Sequence, residues 1–320
     1  MIIYGAGAIG GVVGGHLARA GYDVILIGRP GHVNAIRERG LRLITSIGTY
    51  TLRVPAVTGP AEIEFRPNDL VFLCVKGQNT EEAVRDLRAA VEDVPVFCFQ
   101  NGVRNEEIVS RYFPRVYGVM VRVGGVYLTD GEVIARRDPP GWLIMGRYPS
   151  GVDELVERAA LCLRTAGFFI MVTPDVMPYK WGKLMGNLAN AIGAITNARG
   201  EDNERIAEAA RQEARELLEQ AGIRWISGEK LAREWPEIRL PPRHRLDVEA
   251  QSSTWQSLAR RQGSVETDFL NGEIVRLAER LGRQAPINEA LLRISQEMAA
   301  NREPPGKYTP AQLCELLGLS

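Results

Sequence analysis

The feature that constrains this chain most is a set of closely spaced glycines beginning at its fifth residue. Residues 5–10 read Gly-Ala-Gly-Ala-Ile-Gly, after the apolar run 2–4 and before an amphipathic stretch over 11–20. Between a strand and a helix, the first glycine permits a tight turn, the second lets the backbone approach a pyrophosphate, and the third allows close helix–strand packing. The helix N-terminus also offers free N–H groups to an anion. We therefore predict a dinucleotide-binding unit; a glycine-rich turn used only for packing is the alternative. The predicted contacts are Gly5, Ala6, Gly7, Ala8, Ile9 and Gly10.

The end of the second predicted strand indicates which dinucleotide is held. Residues 24–27 form a continuous apolar run typical of a buried parallel strand, and Gly28 and Arg29 follow it. A carboxylate at this end would accept from the ribose 2′-hydroxyl of NAD, whereas an arginine suits the 2′-phosphate of NADP. Asp23 precedes the strand and so lies at the wrong end. The planar donors of Arg29 match phosphate geometry and favour NADP(H) over NAD(H).

Composition argues against several classes of protein. The 320 residues include 39 basic and 39 acidic ones, which gives no reason to expect nucleic acid or an anionic membrane as a partner. No apolar run reaches the ~18 residues of a spanning helix, and the chain begins directly with a strand, so we expect a cytoplasmic protein. The cysteines are widely spaced and the histidines form no paired motif, which predicts reduced thiols and no metal site. These residues are Cys74, Cys98, Cys162, Cys314, His16, His32 and His244.

The pattern of elements divides the chain in two. The first half alternates apolar strands with helices, as a parallel sheet requires, and the run over 41–57 suggests a hairpin at the sheet edge. From Pro174 onwards the spacing of apolar residues is that of helices only, and helices are predicted over 175–198, 202–220 and 265–280. We therefore predict a Rossmann-type doubly wound α/β domain over 1–173 and an all-α domain over 174–320. The other predicted elements are strands over 70–75, 94–99, 116–128, 143–146 and 168–172, and helices over 33–39, 80–91, 106–112 and 153–166.

Polar residues follow two of the buried strands of the first half. Lys76 follows one strand, and the Gln100-Asn101-Gly102 sequence follows another. Ligands of open α/β sheets bind outside the carboxyl ends of the strands, so both positions are candidate contacts. The alternatives are a solvated surface lysine and a simple Asn-Gly turn. Because a helix follows Gly102, a hairpin is excluded, and the amide of Asn101 could both donate and accept.

The helix predicted over 175–198 is apolar around nearly its whole circumference, which predicts burial. Its polar exceptions Lys180, Lys183, Asn187 and Asn190 are spaced by three or four residues and therefore share one face. We assign Lys180, near the helix start, to solvent. The other three present one ammonium and two carboxamides, a set that can bind a polar substrate and deliver a proton.

Two later segments carry polar groups whose role the residues alone leave open. The hydroxyls over 252–254 lie at a predicted helix start, where capping would explain them. Glu266 lies in the first turn of a helix, where the dipole would explain a carboxylate.

The order of these motifs resembles that of the 2-dehydropantoate 2-reductases, or ketopantoate reductases. The motifs are the glycines over 5–10, Lys76, the turn over 100–102 and the helices around 183–187 and 266–272, so the resemblance spans almost the whole chain. It implies a Rossmann domain followed by a helical domain like the C-terminal domain of 6-phosphogluconate dehydrogenases. It also implies NADPH and a 2-oxo acid bound in the cleft between the two domains.

The resemblance also implies roles for individual residues. Lys183 would be the general acid, with Glu266 beside it. Asn101, Asn187 and Lys76 would line the site. It implies substrate contacts from Asn101, Lys183 and Asn187, with a hydroxyl of Ser253 or Thr254 holding the substrate carboxylate. Asn190 joins these predicted contacts because it shares the helix face of Lys183 and Asn187, although it comes one residue before the asparagine usual in the family.

The function predicted in this way is the NADPH-dependent reduction of ketopantoate to pantoate, a step of pantothenate biosynthesis. Ala191 and Trp255 depart from the family's usual pattern, so a different 2-oxo acid is one alternative. A second alternative is an NADPH-binding sensor without turnover. Homodimer formation stays open.

Overall fold

The computed structural model describes residues 1–236 and 251–319; His244 lies outside them. Of the described residues, 1–180 and 228–236 form one compact unit, and 181–227 and 251–319 form a second. The last strand of the first unit ends at Val172, and a domain boundary near Thr173 stays our proposal.

Short, fully buried strands form the centre of the first unit, as their continuous apolar sequences predict. The strands are β1 Ile2–Tyr4, β2 Ile25–Ile27, β3 Leu41–Thr45, β4 Gly48–Leu52, β5 Ala56–Val57, β6 Val71–Leu73, β7 Val96–Cys98, β8 Val116–Val123, β9 Gly125–Val126, β10 Glu132–Ala135, β11 Gly141–Arg147 and β12 Phe169–Val172.

The main sheet has the order β12-β11-β8-β7-β6-β1-β2-β5. Its pairs are parallel from β5 to β8; β11 is antiparallel to β8 and parallel to β12. The carboxyl ends of β2, β1, β6, β7 and β8 therefore lie at one edge of the sheet. The predicted α/β fold class is confirmed, and this edge is where its ligands are expected.

The hairpin expected at the edge of this sheet lies elsewhere. Strands β3 and β4 do form a hairpin, but it belongs to a separate sheet of order β4-β3-β10-β9, and only β5 joins the main sheet, at its edge. Strand β10 was not predicted. It pairs parallel with β3, about 90 residues earlier in the chain, and such a non-local partner is not visible in local alternation.

Helices of the first unit follow the predicted periods, and Asp153 caps its helix by accepting from the N–H of Val156. The helices that begin in this unit are α1 Ala8–Arg19, α2 Pro30–Arg39, α3 Thr80–Ala90, α4 Asn105–Ser110, α5 Glu154–Thr165, α6 Met177–Asn187 and α9 Gly228–Glu234.

The second unit is built from helices around its own apolar core, which includes Ile195, Ile206 and Leu291. The single helix predicted over 175–198 is two helices that meet at Leu188, where the side chain of Asn271 donates to the backbone carbonyl (3.2 Å). The remaining helices are α7 Ala189–Thr196, α8 Glu201–Gln220, α10 Ser253–Ala259, α11 Asn271–Arg280, α12 Pro286–Ala300 and α13 Pro310–Leu316, and a 3₁₀ segment covers Glu266–Phe269.

Candidate active site

Two of the three motif glycines are required by the packing of the protein itself. Gly5, directly after β1, has φ +108°, and a Cβ there would stand 2.6 Å from the amide nitrogen of Val75. A Cβ on Gly10 would stand 2.2 Å from the carbonyl oxygen of Gly5. These two positions exclude side chains because strand, turn and helix α1 approach one another closely.

Gly7 differs, because the protein leaves open space beside it. A Cβ on Gly7 would have only one neighbour within 4 Å, the Cδ1 of Tyr127 at 4.0 Å. Gly7 is the N-cap of α1, no side chain caps this helix, and no acidic residue lies in its first turn. Space and uncapped amides at a helix N-terminus fit an anionic group such as a pyrophosphate.

Arg29 and Lys76 follow the strands on either side of β1. Arg29 is exposed at the N-cap of α2, and its guanidinium forms no ion pair with any residue the structure describes. Lys76 is half-buried at the N-cap of the 3₁₀ turn Gly77–Asn79 after β6. Both residues thus lie at the carboxyl edge of the sheet, where the sequence predicts cofactor contacts.

The turn after β7 is held by a buried hydrogen-bond chain. The Gln100 Nε2 donates to Thr80 Oγ1 (2.7 Å), and that hydroxyl donates to Asn105 Oδ1 (2.8 Å). The Asn105 Nδ2 donates in turn to the backbone carbonyl of Asn101 (2.8 Å). Gly102 completes the turn with φ +83°. The backbone of Asn101 is therefore fixed by side chains of two helices, α3 and α4.

Lys180 is buried and ion-paired, so its assignment to solvent was wrong. Its side chain is 2 % exposed and pairs with the fully buried carboxylate of Glu106 on α4. Its Nζ also donates to the backbone carbonyl of Gln100 (3.3 Å). The lysine lies at the start of α6, as predicted, but the fold brings a carboxylate to it from 74 residues earlier in the chain.

In the second unit, Lys183 and Asn187 lie one helical turn apart on α6. Lys183 and Asn187 are both half-buried. The Nδ2 of Asn187 is buried and has no hydrogen-bond partner among the described residues. Gly186, between them, is exposed, and a Cβ on it would meet no atom within 4 Å. This face therefore combines a cation, a donor that lacks a partner and open space.

A polar network that sequence reasoning did not identify fixes the chain directly after Asn187. Asn271 donates to the carbonyl of Leu188 and to Asn288 Oδ1 (3.0 Å), and both asparagines are fully buried. Asn288 Nδ2 donates to Glu213 Oε2 (2.8 Å). An asparagine at a helix start is an ordinary sequence feature, so no local signal distinguishes Asn271 from a surface residue.

The hydroxyl segment and Glu266 pack near α7. Helix α10 carries Ser253 and Thr254 and packs against α7, and the 3₁₀ segment beginning at Glu266 packs against α10. Thr254 is fully buried, and its Oγ1 has no partner among the described residues. Glu266 is also buried, 6 % exposed. Ser252 takes the capping role by accepting from the N–H of Trp255.

Two hydrogen bonds join this segment to α7 and to its C-cap residue Asn197. Ser252 Oγ donates to the carbonyl of Asn190 (3.2 Å), and the indole N–H of Trp255 donates to Asn197 Oδ1 (2.8 Å). The second unit thus gathers Asn190, Thr254 and Glu266 on elements in mutual contact. The roles of these side chains stay predictions.

Across residues 1–236 and 251–319, no group of three or more His, Cys, Asp or Glu side chains could hold a metal ion. In the same ranges no helix has the length and apolar character needed to span a membrane. All four cysteines are free thiols.

Comparison with known families gives matches to both parts of the chain. The family model "Ketopantoate reductase PanE/ApbA" matches residues 1–150, and the model for the C-terminal part of the same family matches residues 175–299.

Curated relatives match along most of their length. A 2-dehydropantoate 2-reductase of Pyrococcus horikoshii is 33 % identical, over 89 % of this chain and 93 % of that protein. The enzyme of the same name from Archaeoglobus fulgidus is 30 % identical, over 91 % of this chain and 95 % of that protein.

Solved structures match the fold. A PanE/ApbA family ketopantoate reductase from Ralstonia eutropha superposes with a TM-score of 0.80 at 31 % identity, covering 94 % of this chain and 99 % of that one. A D-mandelate dehydrogenase solved with NADH and anilino(oxo)acetate has a TM-score of 0.78 at 21 % identity, covering 94 % and 99 %. The latter likeness concerns the fold alone.

Proposed function

The chain belongs to the ketopantoate reductase family, and we propose that it reduces 2-dehydropantoate to pantoate with NADPH. The observation that carries this proposal furthest is Gly7. Packing accounts for Gly5 and Gly10 but not for Gly7, whose missing side chain leaves room beside an uncapped helix N-terminus. We further propose that the reaction takes place in the cytoplasm and serves pantothenate biosynthesis.

We assign the cofactor to the carboxyl edge of the main sheet. The backbone amides of the glycine turn over 5–10 would hold the pyrophosphate, and the exposed guanidinium of Arg29 would bind the 2′-phosphate. Lys76 and Asn101 would contact the cofactor at neighbouring strand ends. When bound, NADPH supplies a hydride to the keto carbon.

We assign the proton to Lys183. As the keto oxygen gains negative charge, the ammonium of Lys183 would stabilise it and donate a proton to it, which yields the alcohol. Glu266 would orient the lysine and balance its charge. Asn187 Nδ2 and Thr254 Oγ1, which have no hydrogen-bond partner in the part of the chain that the structure describes, are groups that a polar substrate could satisfy. Asn101, Asn190 and Ser253 complete the proposed substrate contacts.

A different 2-oxo acid in the same family is the second candidate. Ala191, fully buried, departs from the family's usual pattern, and Trp255 packs its indole against the helical core next to α7. Such changes would alter the shape of a pocket while leaving the reductase chemistry in place.

The test is cofactor oxidation at saturating NADPH or NADH with a panel of 2-oxo acids that includes 2-dehydropantoate. We expect turnover with NADPH and the highest kcat/KM for 2-dehydropantoate. A higher value for another 2-oxo acid would support the second candidate. NADPH binding without turnover of any acid would overturn the proposal and leave a sensor.

A lysine variant tests the mechanism in the same assay. General acid catalysis is worth ~10²- to 10⁴-fold, so Lys183→Ala should lower kcat by that order while NADPH still binds. The control is Lys230→Ala, because Lys230 is exposed and pairs with Glu234 on α9. A Lys183→Ala enzyme with wild-type kcat would exclude Lys183 as the acid.

A further inference from the structure

Arg122 is a partly buried cation with no carboxylate beside it among the residues that the structure describes. It lies on β8, and its guanidinium carbon is 4.9 Å from the ring centroid of Trp142, which is 2 % exposed. Within residues 1–236 and 251–319, its side chain forms no hydrogen bond and no ion pair. Burial lowers the pKa of Arg122, and no acidic neighbour opposes that shift.

Three other arginines of the first unit show how unusual this arrangement is. Arg37 pairs with Glu62 (2.8 Å), Arg42 pairs with Glu132, and Arg147, on the adjacent strand β11, lies 3.9 Å from Asp153. These three side chains are each about half exposed, so water would solvate them even without a partner. Arg122 is less exposed to water, and no described residue provides it with an anion. This combination costs free energy unless a ligand supplies the counter-charge.

The position of Arg122 in the sheet identifies where that ligand would bind. Cys98, the last residue of β7, is in register with Gly118 of β8. Arg122 lies four residues further along β8, about 13 Å beyond that point at roughly 3.3 Å per residue. The chain of β7 continues over the same edge into Gln100 and Asn101. Arg122, next to the last residue of β8, and Asn101, just beyond β7, therefore lie at the carboxyl ends of neighbouring parallel strands, the edge where the sheet's ligands are expected.

The alternation of side chains along β8 also gives the face. Tyr117, Val119 and Val121 belong to the main apolar core, so Arg122 points to the opposite face. On that face a Cβ at Gly118 would lie 3.5 Å from Glu106 Oε1, but this carboxylate is already paired with Lys180. The protein thus neutralises one cation on this face and leaves the one nearer the ligand edge for another anion.

We propose that Arg122 binds the carboxylate of the 2-oxo acid and makes the enzyme selective for acids over neutral carbonyl compounds. This inference rests on the proposed function. The planar guanidinium of an arginine can donate two parallel hydrogen bonds to a carboxylate. In Arg122 one side of this group lies against the ring of Trp142. A carboxylate accepts up to about four hydrogen bonds, so Arg122 need not be its only donor.

The experiment compares two substrates of one shape and different charge. The wild-type enzyme and Arg122→Met, Arg122→Lys and Arg147→Met variants are assayed with the best 2-oxo acid of the panel and with its primary amide. Arg147 is the matched control, because it lies at the other end of the β8–β11 pair and already has Asp153. Binding of NADPH alone is measured by fluorescence titration.

Charged hydrogen bonds are worth about 1.5–3 kcal/mol, which converts to roughly 10- to 150-fold in affinity. We expect Arg122→Met to raise KM for the acid by that factor and to leave the amide and the NADPH Kd unchanged. The acid/amide ratio of kcat/KM then falls by the same factor. Arg122→Lys should give an acid/amide ratio between those of the wild type and Arg122→Met, because lysine keeps the positive charge but lacks the planar, paired N–H donors of the guanidinium. Arg147→Met should keep the wild-type ratio.

Three results would overturn the inference. Equal losses for acid and amide would mean that Arg122 supports the fold and not the substrate. A weaker NADPH Kd with an unchanged acid/amide ratio would mean that its anion is a cofactor phosphate. Wild-type kinetics in Arg122→Met would mean that it binds neither. If the wild-type enzyme reduced no 2-oxo acid, the proposed function itself would have failed, which is a distinct outcome.

Discussion

Removal of the ammonium of Lys180 tests the buried ion pair of the first unit most directly. In Lys180→Met the helix keeps a side chain of similar length, but the carboxylate of Glu106 loses its counter-charge. That carboxylate is 0 % exposed, and its Oε2 has no hydrogen-bond partner among the described residues, so water cannot replace the lysine. Breaking one side of a buried pair costs about 3–5 kcal/mol, and we expect the free energy of unfolding to fall by that amount.

The second partner completes a double-mutant cycle. The Lys180→Met/Glu106→Leu double variant removes both charges and fills the same space with apolar atoms. Replacing a buried pair in this way is often neutral or stabilising, so the double variant should be more stable than Lys180→Met alone. The matched control is Lys230→Met, since Lys230 and Glu234 are 53 % and 44 % exposed and such pairs contribute at most about 1 kcal/mol.

Urea unfolding followed by tryptophan fluorescence and circular dichroism measures these differences. A Lys180→Met protein that unfolds at the wild-type urea concentration would refute the reasoning. So would a double variant less stable than Lys180→Met alone, because the pair would then contribute through something other than mutual neutralisation.

Three further predictions concern single side chains. Arg29→Ala should weaken NADPH binding about 10- to 100-fold and leave NADH binding nearly unchanged, because charged hydrogen bonds are worth roughly 1.5–3 kcal/mol. Equal losses of affinity in titrations of both cofactors would contradict a contact with the 2′-phosphate. Asn187→Ala should raise KM for the 2-oxo acid about 2- to 10-fold. The Tm should change little, because the buried Nδ2 of Asn187 has no partner to lose among the described residues. A lower Tm with an unchanged KM would mean that Asn187 stabilises the fold and does not bind the substrate. Burial, with a smaller contribution from Arg19, lowers the pKa of His16 from its ordinary 6.5 to about 4. As the pH falls, the unfolded chain therefore binds a proton at this residue before the folded protein does. The free energy of unfolding should decrease as the pH drops from about 6.5 towards 4. At about 1.36 kcal/mol per pKa unit, the free energy of unfolding should fall by ~2.5 kcal/mol between pH 7 and 4.5. In urea unfolding, the His16→Phe variant should lose less stability over the same pH range. An equal loss would exclude His16 as the source of the pH dependence.

Much of the first unit follows from local sequence. The buried strands follow from their apolar runs, and glycine at position 10 follows from its close approach to the carbonyl of Gly5 in the same turn. At position 5 the excluded Cβ would meet Val75, which the fold brings from the end of β6. Helix periods likewise identified α3, α5 and α8 to within one or two residues. Strand β10 escaped prediction because its partner β3 is distant in sequence and its four residues carry too little pattern of their own.

The polar residues divide in the same way. Local spacing is sufficient to put Lys183 and Asn187 on one face, because a helix fixes which residues are neighbours. It is not sufficient to tell Lys180 from a solvated lysine, or Arg122 from any other strand arginine. Whether a charge is buried, and whether it has a partner, depends on which other elements pack against it.

The sequence by itself therefore determined the turn between β1 and α1, most of the strands and helices in their order, and the polar face of α6, because turn chemistry and side-chain periodicity act over a few residues. Only the tertiary structure decided that Lys180 pairs with Glu106, that Asn271 donates to the carbonyl of Leu188, and that Arg122 lies against Trp142 with no ionic partner in residues 1–236 and 251–319. The physical reason is that desolvation and pairing of a polar group are set by atoms that the fold brings from elsewhere in the chain.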